Sequence, residues 1–149
     1  NGFWESCCSG VGIAASAQGR FSEPELSQIH VEYGEITAQT VFALAKTGNR
    51  TAAEILDQAA GQIGIGLANI ISTLNPERII LGGTVGQACD FLLNRITASA
   101  KKSAQPISAR TAEIVTSSLG TDAGLLGAAY GIILRLDGVS RNEEKRRKS

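Results

Sequence analysis

An apolar run that ends in two adjacent glycines constrains the fold of this chain most strongly. Arg-Ile-Ile-Leu at 78–81 is followed by Gly82 and Gly83, and helical patterns lie on both sides. The apolar residues do not alternate with polar ones, and Pro76 and the glycines bound them. We therefore predict a short strand over 77–82 that is buried on both faces. A buried strand between two helices is typical of α/β folds.

The same glycine pair marks the first place to expect a ligand. Because they lack a Cβ, Gly82 and Gly83 allow a sharp turn of the backbone and the close approach of another molecule. In open α/β sheets, ligands bind beyond the carboxyl ends of the strands. We therefore expect a binding site where this strand ends.

Helical periodicity fills most of the remaining chain, with one further strand. The predicted elements are a helix over 3–18 broken near Gly10 and Gly12, an irregular segment over 19–36, helices over 38–46 and 52–74, the strand over 77–82, a helix over 85–102, a polar loop around Pro106, a strand over 112–117 and a helix over 123–134. Two strands joined by a helix of this length should pair in parallel.

Capping residues support several of these helix starts. Thr37 and Asp122 precede helical patterns, and Thr51 with Glu54 fits a capping box. The helix that this box opens is apolar enough to be buried, although it contains glycines at 61, 64 and 66. Each glycine costs about 1 kcal/mol relative to alanine in a helix interior. We therefore expect a neighbouring helix or strand to approach closely there.

Composition and charge exclude several classes of protein. The chain has 149 residues, of which 43% are hydrophobic, so it is long enough for one domain with a real core. Lys and Arg together number 14, as do Asp and Glu, which argues against binding to nucleic acid or a membrane surface through bulk charge. We expect one domain over 1–138 and a charged, solvated tail over 139–149.

Cysteine usage and hydropathy indicate the cytoplasm. Only three cysteines are present, and Cys7 and Cys8 are adjacent, so a disulfide framework is not expected. We see no signal peptide, and the most apolar run, 63–74, is too short to span a bilayer. The sequence contains no methionine and opens at Asn1 directly before a helical pattern, which suggests a fragment of a longer protein.

Two other motifs are weak. Gly10, Gly12 and Ala15 fit the loose GxGxxA dinucleotide pattern, with Glu32 at a suitable distance, but no strand precedes them. His30 is the single histidine, and we interpret it as an ordinary loop residue because no nucleophile pairs with it at a recognisable spacing.

Several stretches, taken together and in order, resemble the carboxyl-terminal half of the ROK family, a group of sugar kinases and sugar-responsive repressors. They are Gly2-Phe3-Trp4-Glu5 with Ser9-Gly10, residues 66–71 with 74–77, the run from Ile79 to Gly83, and Ser118-Leu119-Gly120 with 123–129. The resemblance implies an actin/hexokinase-like (ribonuclease H-like) α/β fold, helix-rich and with short parallel strands.

The resemblance also implies roles for individual residues. Glu5 matches the family's sugar-binding glutamate, and a carboxylate can accept hydrogen bonds from two sugar hydroxyls. From the residues alone, Glu5 is better interpreted as a first-turn helix residue that interacts favourably with the helix dipole, and only the resemblance favours sugar contact. Gly82 and Gly83 match the element beside adenosine, and Thr84 is adjacent and able to hydrogen-bond.

One departure from the family pattern concerns zinc. Many members carry a cysteine-rich zinc motif that ends in Gly-Cys-x-Glu, but here Phe3 stands where the last zinc cysteine would be. Cys7 and Cys8 lie on the wrong side of Glu5 to replace it. We therefore expect no structural zinc and no other metal ligands in this chain, which favours a kinase over a repressor.

The resemblance implies an ATP-dependent, glucokinase-like hexose kinase. The alternatives are a sugar-sensing repressor and a non-catalytic domain that keeps the fold for assembly. The family's phosphate loop, catalytic aspartate and Glu-x-Gly-His sugar motif all precede the matched region, so this chain alone should be inactive. Expected partners are a hexose, ATP with Mg²⁺ bound mainly outside this chain, the amino-terminal half of the same protein, and a second copy. No membrane or nucleic acid is expected.

Overall fold

The structure is a computed structural model. It describes the backbone of residues 4–147 and the side chains of residues 4, 6–82, 92–120 and 122–135. The elements are helices α1 (Trp4–Cys8), α2 (Gly10–Arg20), α3 (Glu23–Tyr33), α4 (Ala38–Lys46) and α5 (Arg50–Leu74), strand β1 (Arg78–Leu81), helices α6 (Gly83–Ser103) and α7 (Pro106–Thr111), strand β2 (Glu113–Thr116), a 3-10 turn (Gly120–Asp122) and helix α8 (Ala123–Arg147).

The two strands form a parallel pair, as predicted. Arg78 lies opposite Glu113 and Leu81 opposite Thr116, with α6 and α7 in the connection between the strands. An ion pair of 2.7 Å between Arg78 and Glu113 joins the first residues of the two strands. The predicted break in the first helix is also present, because α1 ends at Cys8 and Ser9 caps α2 by accepting a hydrogen bond from the Gly12 amide.

Helix α5 forms the centre of the molecule and packs against α1, α2, α4, α6 and α7. Its apolar stripe is buried, as its periodicity predicts. The buried residues of this helix are Ala52, Ile55, Leu56, Ala59, Ala60, Ile63, Gly64, Leu67, Ala68 and Ile71. Leu92, Ile96 and Ala100 of α6 complete the core on one side.

Two of the three glycines within α5 are sites of close approach, as expected. A Cβ at Gly64 would lie 2.4 Å from Ser99 Cβ, and a Cβ at Gly66 would lie 2.3 Å from Trp4 Cε2. The expectation is wrong for Gly61, whose Cβ would meet nothing within 4 Å.

The predicted start of α5 is wrong by two residues. Asn49, not Thr51, is the N-cap, and its Oδ1 accepts a hydrogen bond of 2.9 Å from the Ala52 amide. Thr51 therefore lies inside the first turn. Glu54 forms ion pairs with Arg50 and Arg20 rather than a capping box. At Thr37 the cap prediction is confirmed, since its hydroxyl accepts a hydrogen bond from the Thr40 amide.

Two segments predicted to be irregular are helices. Helix α3 occupies much of 19–36 and opens with a capping box in which the Ser22 amide and hydroxyl both donate to Glu25 Oε2. Only Ile29 of this helix is buried, so its sequence lacks a wide apolar stripe. Helix α7 occupies the predicted polar loop, where Pro106 begins the helix instead of interrupting it.

The prediction that β1 is buried on both faces is wrong. Ile79 and Leu81 pack against the core, whereas Ile80, on the opposite face, is 63% exposed. Because the described helices cover one face of the pair, the unbroken apolar run lies half in the core and half on an open face.

Helix α8 is longer than predicted, and its described part is largely exposed. It continues to Arg147, through the segment expected to be a separate tail. Its large apolar side chains in the described part are between 49% and 73% exposed; they are Leu125, Leu126, Tyr130, Ile132, Ile133 and Leu134. In the described part of the chain, no helix is long and apolar enough to cross a membrane.

Candidate functional site

The carboxyl ends of β1 and β2 lie side by side and bring two loops together. Leu81 and Thr116 are register partners, and the Ser117 amide donates a hydrogen bond of 2.8 Å to the Leu81 carbonyl oxygen. Gly82 follows directly, and a Cβ on it would lie 3.9 Å from Ser117 Cβ. The edge where a ligand is expected in a parallel sheet is therefore formed by residues after both strands.

Gly82 is the N-cap of α6, and its backbone does not require a glycine. Its φ of −117° and ψ of −177° are extended values that any residue can adopt. A Cβ at 3.9 Å from Ser117 would be in ordinary van der Waals contact. The sharp turn expected from the sequence is thus absent at Gly82, and among the described residues neither strain nor crowding accounts for the glycine.

Helix α6 points its amino terminus at the same edge. It is 21 residues long and begins at Gly83, so the positive end of its dipole lies directly after β1. A glycine N-cap has no side chain that can accept from the first-turn amides, and helix starts of this kind suit anions. Gly83 and Thr84 occupy the first two helical positions, and their side chains lie outside the described residues.

The second loop at this edge was not singled out from the sequence as part of the site. Ser117 Oγ accepts a hydrogen bond of 3.2 Å from the Leu119 amide, and Gly120 then adopts a left-handed φ of 55°. The 3-10 turn over Gly120–Asp122 packs against α6. The predicted parallel pairing already implied that residues after both strands would meet here.

Glu5 lies in a different part of the fold from the glycine pair. It is the second residue of α1, which packs against α2 and α5, and its side chain lies outside the described residues. Its neighbour Trp4 donates a hydrogen bond of 2.9 Å from Nε1 to the carbonyl oxygen of Gln62 in α5. The structure thus places two separate groups of predicted site residues at α1 and at the sheet edge.

A cavity of about 270 Å³ lies between α1, α2 and α5. Polar side chains line part of it: Ser6, Cys7, Ser16, Gln58 and Gln62. Cys7 is exposed, whereas Cys8 is buried, and burial raises the pKa of the Cys8 thiol to about 11, with the neighbouring Cys7 adding to the shift. Within the described residues, no three His, Cys, Asp or Glu side chains are placed to hold a metal ion.

The two weak sequence motifs have structural explanations. Gly12 lies in α2 against α1, where a Cβ would be only 2.2 Å from the Ser6 carbonyl oxygen, so this glycine is required for helix packing. His30 lies in the last turn of α3 rather than in a loop. Its Nδ1 is 2.5 Å from the Gly34 carbonyl oxygen, where it can donate a hydrogen bond that helps to end the helix.

Comparisons with known proteins agree with the architecture. The ROK family matches residues 1–133. The glucokinase of Halalkalibacterium halodurans is 33% identical over 96% of this chain and 44% of its own length. The crystal structure of a ROK family glucokinase from Streptomyces griseus, in complex with glucose and AMPPNP, superposes with a TM-score of 0.72 at 27% identity, over 87% of this chain and 44% of that one.

Repressors also occur among the matches. The xylose repressor of Bacillus spizizenii is 28% identical over 72% of this chain and 28% of its own length. The chain spans less than half the length of each of these relatives. The predicted fold class is confirmed, since the solved structures that match include ROK sugar kinases, which have the actin/hexokinase-like fold. This chain belongs to the ROK family.

Proposed function

We propose that this chain is the carboxyl-terminal part of an ATP-dependent hexose kinase of the glucokinase type. The observation that carries the proposal is its 33% identity to a glucokinase over 96% of the chain. The carboxyl ends of the two parallel strands and the amino terminus of α6, whose N-cap Gly82 has no capping side chain, lie at one sheet edge. Such edges bind nucleotides in open α/β folds. The match covers 44% of that glucokinase, and the remaining 56% of its length would supply the catalytic aspartate.

The geometry of Gly82 supports a nucleotide at the sheet edge. A glycine that neither its φ nor its described neighbours require leaves room for a molecule from outside the chain. We assign that space to the adenosine of ATP, with Gly82, Gly83 and Thr84 as the nucleotide-binding residues. Phosphoryl transfer depends on positioning and on electrostatic stabilisation. The positive end of the α6 dipole would contribute to this stabilisation on one side of the nucleotide.

Most of the chemistry would take place outside this chain. An aspartate from the amino-terminal half would remove the proton of a sugar hydroxyl, which attacks the γ-phosphate, and Glu5 would hold the sugar. The described residues hold no group of three metal-ligand side chains. We propose that Mg²⁺ is bound mainly outside this chain, by the ATP phosphates and by residues of the amino-terminal half.

The open apolar surface supports a covering partner. Ile80 on the sheet and Leu125, Leu126 and Ile133 on α8 are all about half or more exposed. The exposed apolar residues of α8 lie close together in sequence, within 125–134, as at surfaces that contact another protein. We propose that the amino-terminal half covers these side chains. We also propose that the complete kinase is a cytoplasmic homo-oligomer that binds neither membrane nor nucleic acid. The tail over 139–149 would lie outside its globular part.

The test is a kinase assay of the complete protein over a panel of hexoses. We expect ATP-dependent phosphorylation of at least one sugar. Replacing Glu5 with Ala should raise the KM for that sugar strongly, because a carboxylate that accepts from two hydroxyls is lost. Glu23→Ala, at an exposed glutamate in the first turn of α3, is the matched control. It should leave the KM for the sugar and the KM for ATP unchanged. An inactive wild type would refute the kinase proposal.

The second candidate is the effector domain of a sugar-sensing repressor. The identity to a xylose repressor favours it, although over a smaller part of the chain than the glucokinase match. Sugar binding without phosphorylation, together with an upstream helix-turn-helix, would identify this function.

A further inference from the structure

Helix α1 cannot define its own position. It has five residues, little more than one turn, and isolated helices of that length are not stable in water. Its orientation must therefore come from its contacts with α2 and α5. Because Glu5 is its second residue, the same contacts decide where the backbone of Glu5 lies.

The indole of Trp4 makes the main described contact with α5. Nε1 donates a hydrogen bond of 2.9 Å to the Gln62 carbonyl oxygen, and the ring lies over Gly66, one turn further along α5. A Cβ at position 66 would be 2.3 Å from Cε2, 2.5 Å from Nε1 and 2.6 Å from Cζ2. The indole therefore occupies the space that any other residue at position 66 would fill.

Gly66 has no other explanation within α5. A glycine in a helix interior is destabilising by about 1 kcal/mol relative to alanine. Gly61 in the same helix shows the contrast, since a Cβ there would meet nothing within 4 Å. The Trp4 ring is 46% exposed, so it lies on the surface of α5 with one side against the helix and does not belong to the core.

The other end of α1 is held as closely. A Cβ at Gly12 of α2 would lie 2.2 Å from the Ser6 carbonyl oxygen, and Ser9 accepts a hydrogen bond from the Gly12 amide at 3.1 Å. Glu5 thus lies between an anchor on α5 and a close helix contact on α2.

We infer that Trp4 is a positioning residue for the hexose site, which it serves by fixing α1 on Gly66 and Gln62 so that Glu5 is held in register with the sugar. This inference rests on the proposed sugar-binding role of Glu5. A half-exposed aromatic ring on a glycine contributes little to a core, so its effect should appear in sugar affinity more than in global stability. Misplacement of a binding group by about 1 Å can reduce activity by about 10²-fold.

The test uses the complete kinase and four variants. Trp4→Ala removes the anchor, and Gly66→Ala keeps the indole but places a methyl group where the ring lies. Both should raise the hexose KM by roughly tenfold or more and leave the KM for ATP within about twofold. Trp4→Phe, which loses only the hydrogen bond to Gln62, should have a smaller effect in the same direction. Gly61→Ala introduces the same methyl group into the same helix without a collision and should leave both KM values unchanged.

A double variant distinguishes a collision with the indole from general damage to α5. If the Gly66→Ala effect arises from collision with the indole, then adding it to Trp4→Ala should change the hexose KM no further. Additive effects, or equal rises in both KM values with a matching fall in Tm, would reduce Trp4 to a structural role and overturn the inference. A hexose KM unchanged in Trp4→Ala but raised in Glu5→Ala would also overturn it.

The wild-type measurement distinguishes the two proposals. If the wild type binds a hexose in calorimetry but does not phosphorylate it, the kinase proposal fails, and the same variants are then compared by hexose dissociation constant. A wild type that binds no hexose would overturn the positioning role as well.

Discussion

Cys7 and Cys8 are neighbours in sequence with opposite environments. The Cys7 side chain is exposed, whereas Cys8, the last residue of α1, is buried in the core. Loss of hydration disfavours the thiolate of Cys8 and raises the pKa of its thiol from the ordinary 9.0 to about 11. A thiol reagent should therefore find one of these two residues and not the other.

We predict that Cys7 reacts rapidly with a maleimide at pH 8 and that Cys8 does not react while the protein is folded, because the thiolate is the nucleophile. Peptide mass spectrometry of the labelled protein would locate the adduct. Cys7→Ser should remove the rapid phase at this pair and Cys8→Ser should retain it. Rapid labelling of position 8 in the folded protein would contradict the burial of that side chain.

Cys8 also predicts a dependence of stability on pH. Its pKa is raised in the folded state, so between pH 9 and about 11 the unfolded chain has lost a proton that the folded chain keeps. The contribution of Cys8 to the free energy of unfolding is therefore complete below pH 9 and is lost as the pH rises to about 11. In Cys8→Ala this part of the slope should be absent in urea unfolding experiments. An identical slope in both proteins would contradict the shift.

At the scale of elements, the packing of α5 on α6 depends on one glycine. A Cβ at Gly64 would lie 2.4 Å from Ser99 Cβ and 2.8 Å from the Ile96 carbonyl oxygen, and Ser99 Oγ donates a hydrogen bond of 3.0 Å to the Gly61 carbonyl oxygen. A backbone carbonyl cannot move aside as a flexible side chain does. The two helices are therefore held at a separation that excludes a methyl group at position 64.

We predict that Gly64→Ala destabilises the protein by about 1–3 kcal/mol, because overpacking exceeds the gain in helix propensity. Gly61→Ala is the control in the same helix and should stabilise the protein by up to about 1 kcal/mol. Adding Ser99→Gly to Gly64→Ala should recover part of the loss, since it removes one of the two collisions. Urea unfolding measures all three, and equal stability of the two single alanine variants would refute this account.

The helices that could and could not be predicted differ in how much apolar surface they bury. Helix α5 was evident because its apolar residues repeat at helical spacing over most of 25 residues. Helix α3 buries only Ile29 and is defined at its start by Ser22 and Glu25, a signal that is easily missed among polar residues. Thr51 and Asn49 are both acceptable caps two residues apart, and the side-chain geometry that selects Asn49 is not visible in a sequence.

At the scale of the whole molecule, the strands illustrate the limit of sequence reasoning. The parallel pairing of β1 and β2 followed from the length of their connection. The exposure of Ile80 could not be predicted from the sequence, because it depends on what covers the second face of the sheet. The Gly82 edge was predictable as a location, whereas the contact between Trp4 and Gly66 joins residues 62 positions apart and had no local signal.

We predict that this chain, expressed alone, self-associates through α8. Leu126 and Ile133 are each about half exposed, so replacing both with Gln should yield a monomer in size-exclusion chromatography. Because neither residue lies in the core of this chain, the free energy of unfolding should change by less than about 0.5 kcal/mol. Val31→Gln removes an apolar side chain that is 89% exposed on α3, and it should leave self-association unchanged. A monomeric wild-type chain at high concentration would contradict the prediction.

The two-stranded sheet has a consequence for the order of folding. Helices α5 and α6 are near neighbours along the chain and can dock early, whereas Arg78 and Glu113 are 35 residues apart and must wait for that docking. A parallel pair of four-residue strands is also marginal by itself. The strand ends should therefore be among the last parts to form and the first to open. A nucleotide bound there would stabilise the paired strand ends by mass action and so oppose this local opening.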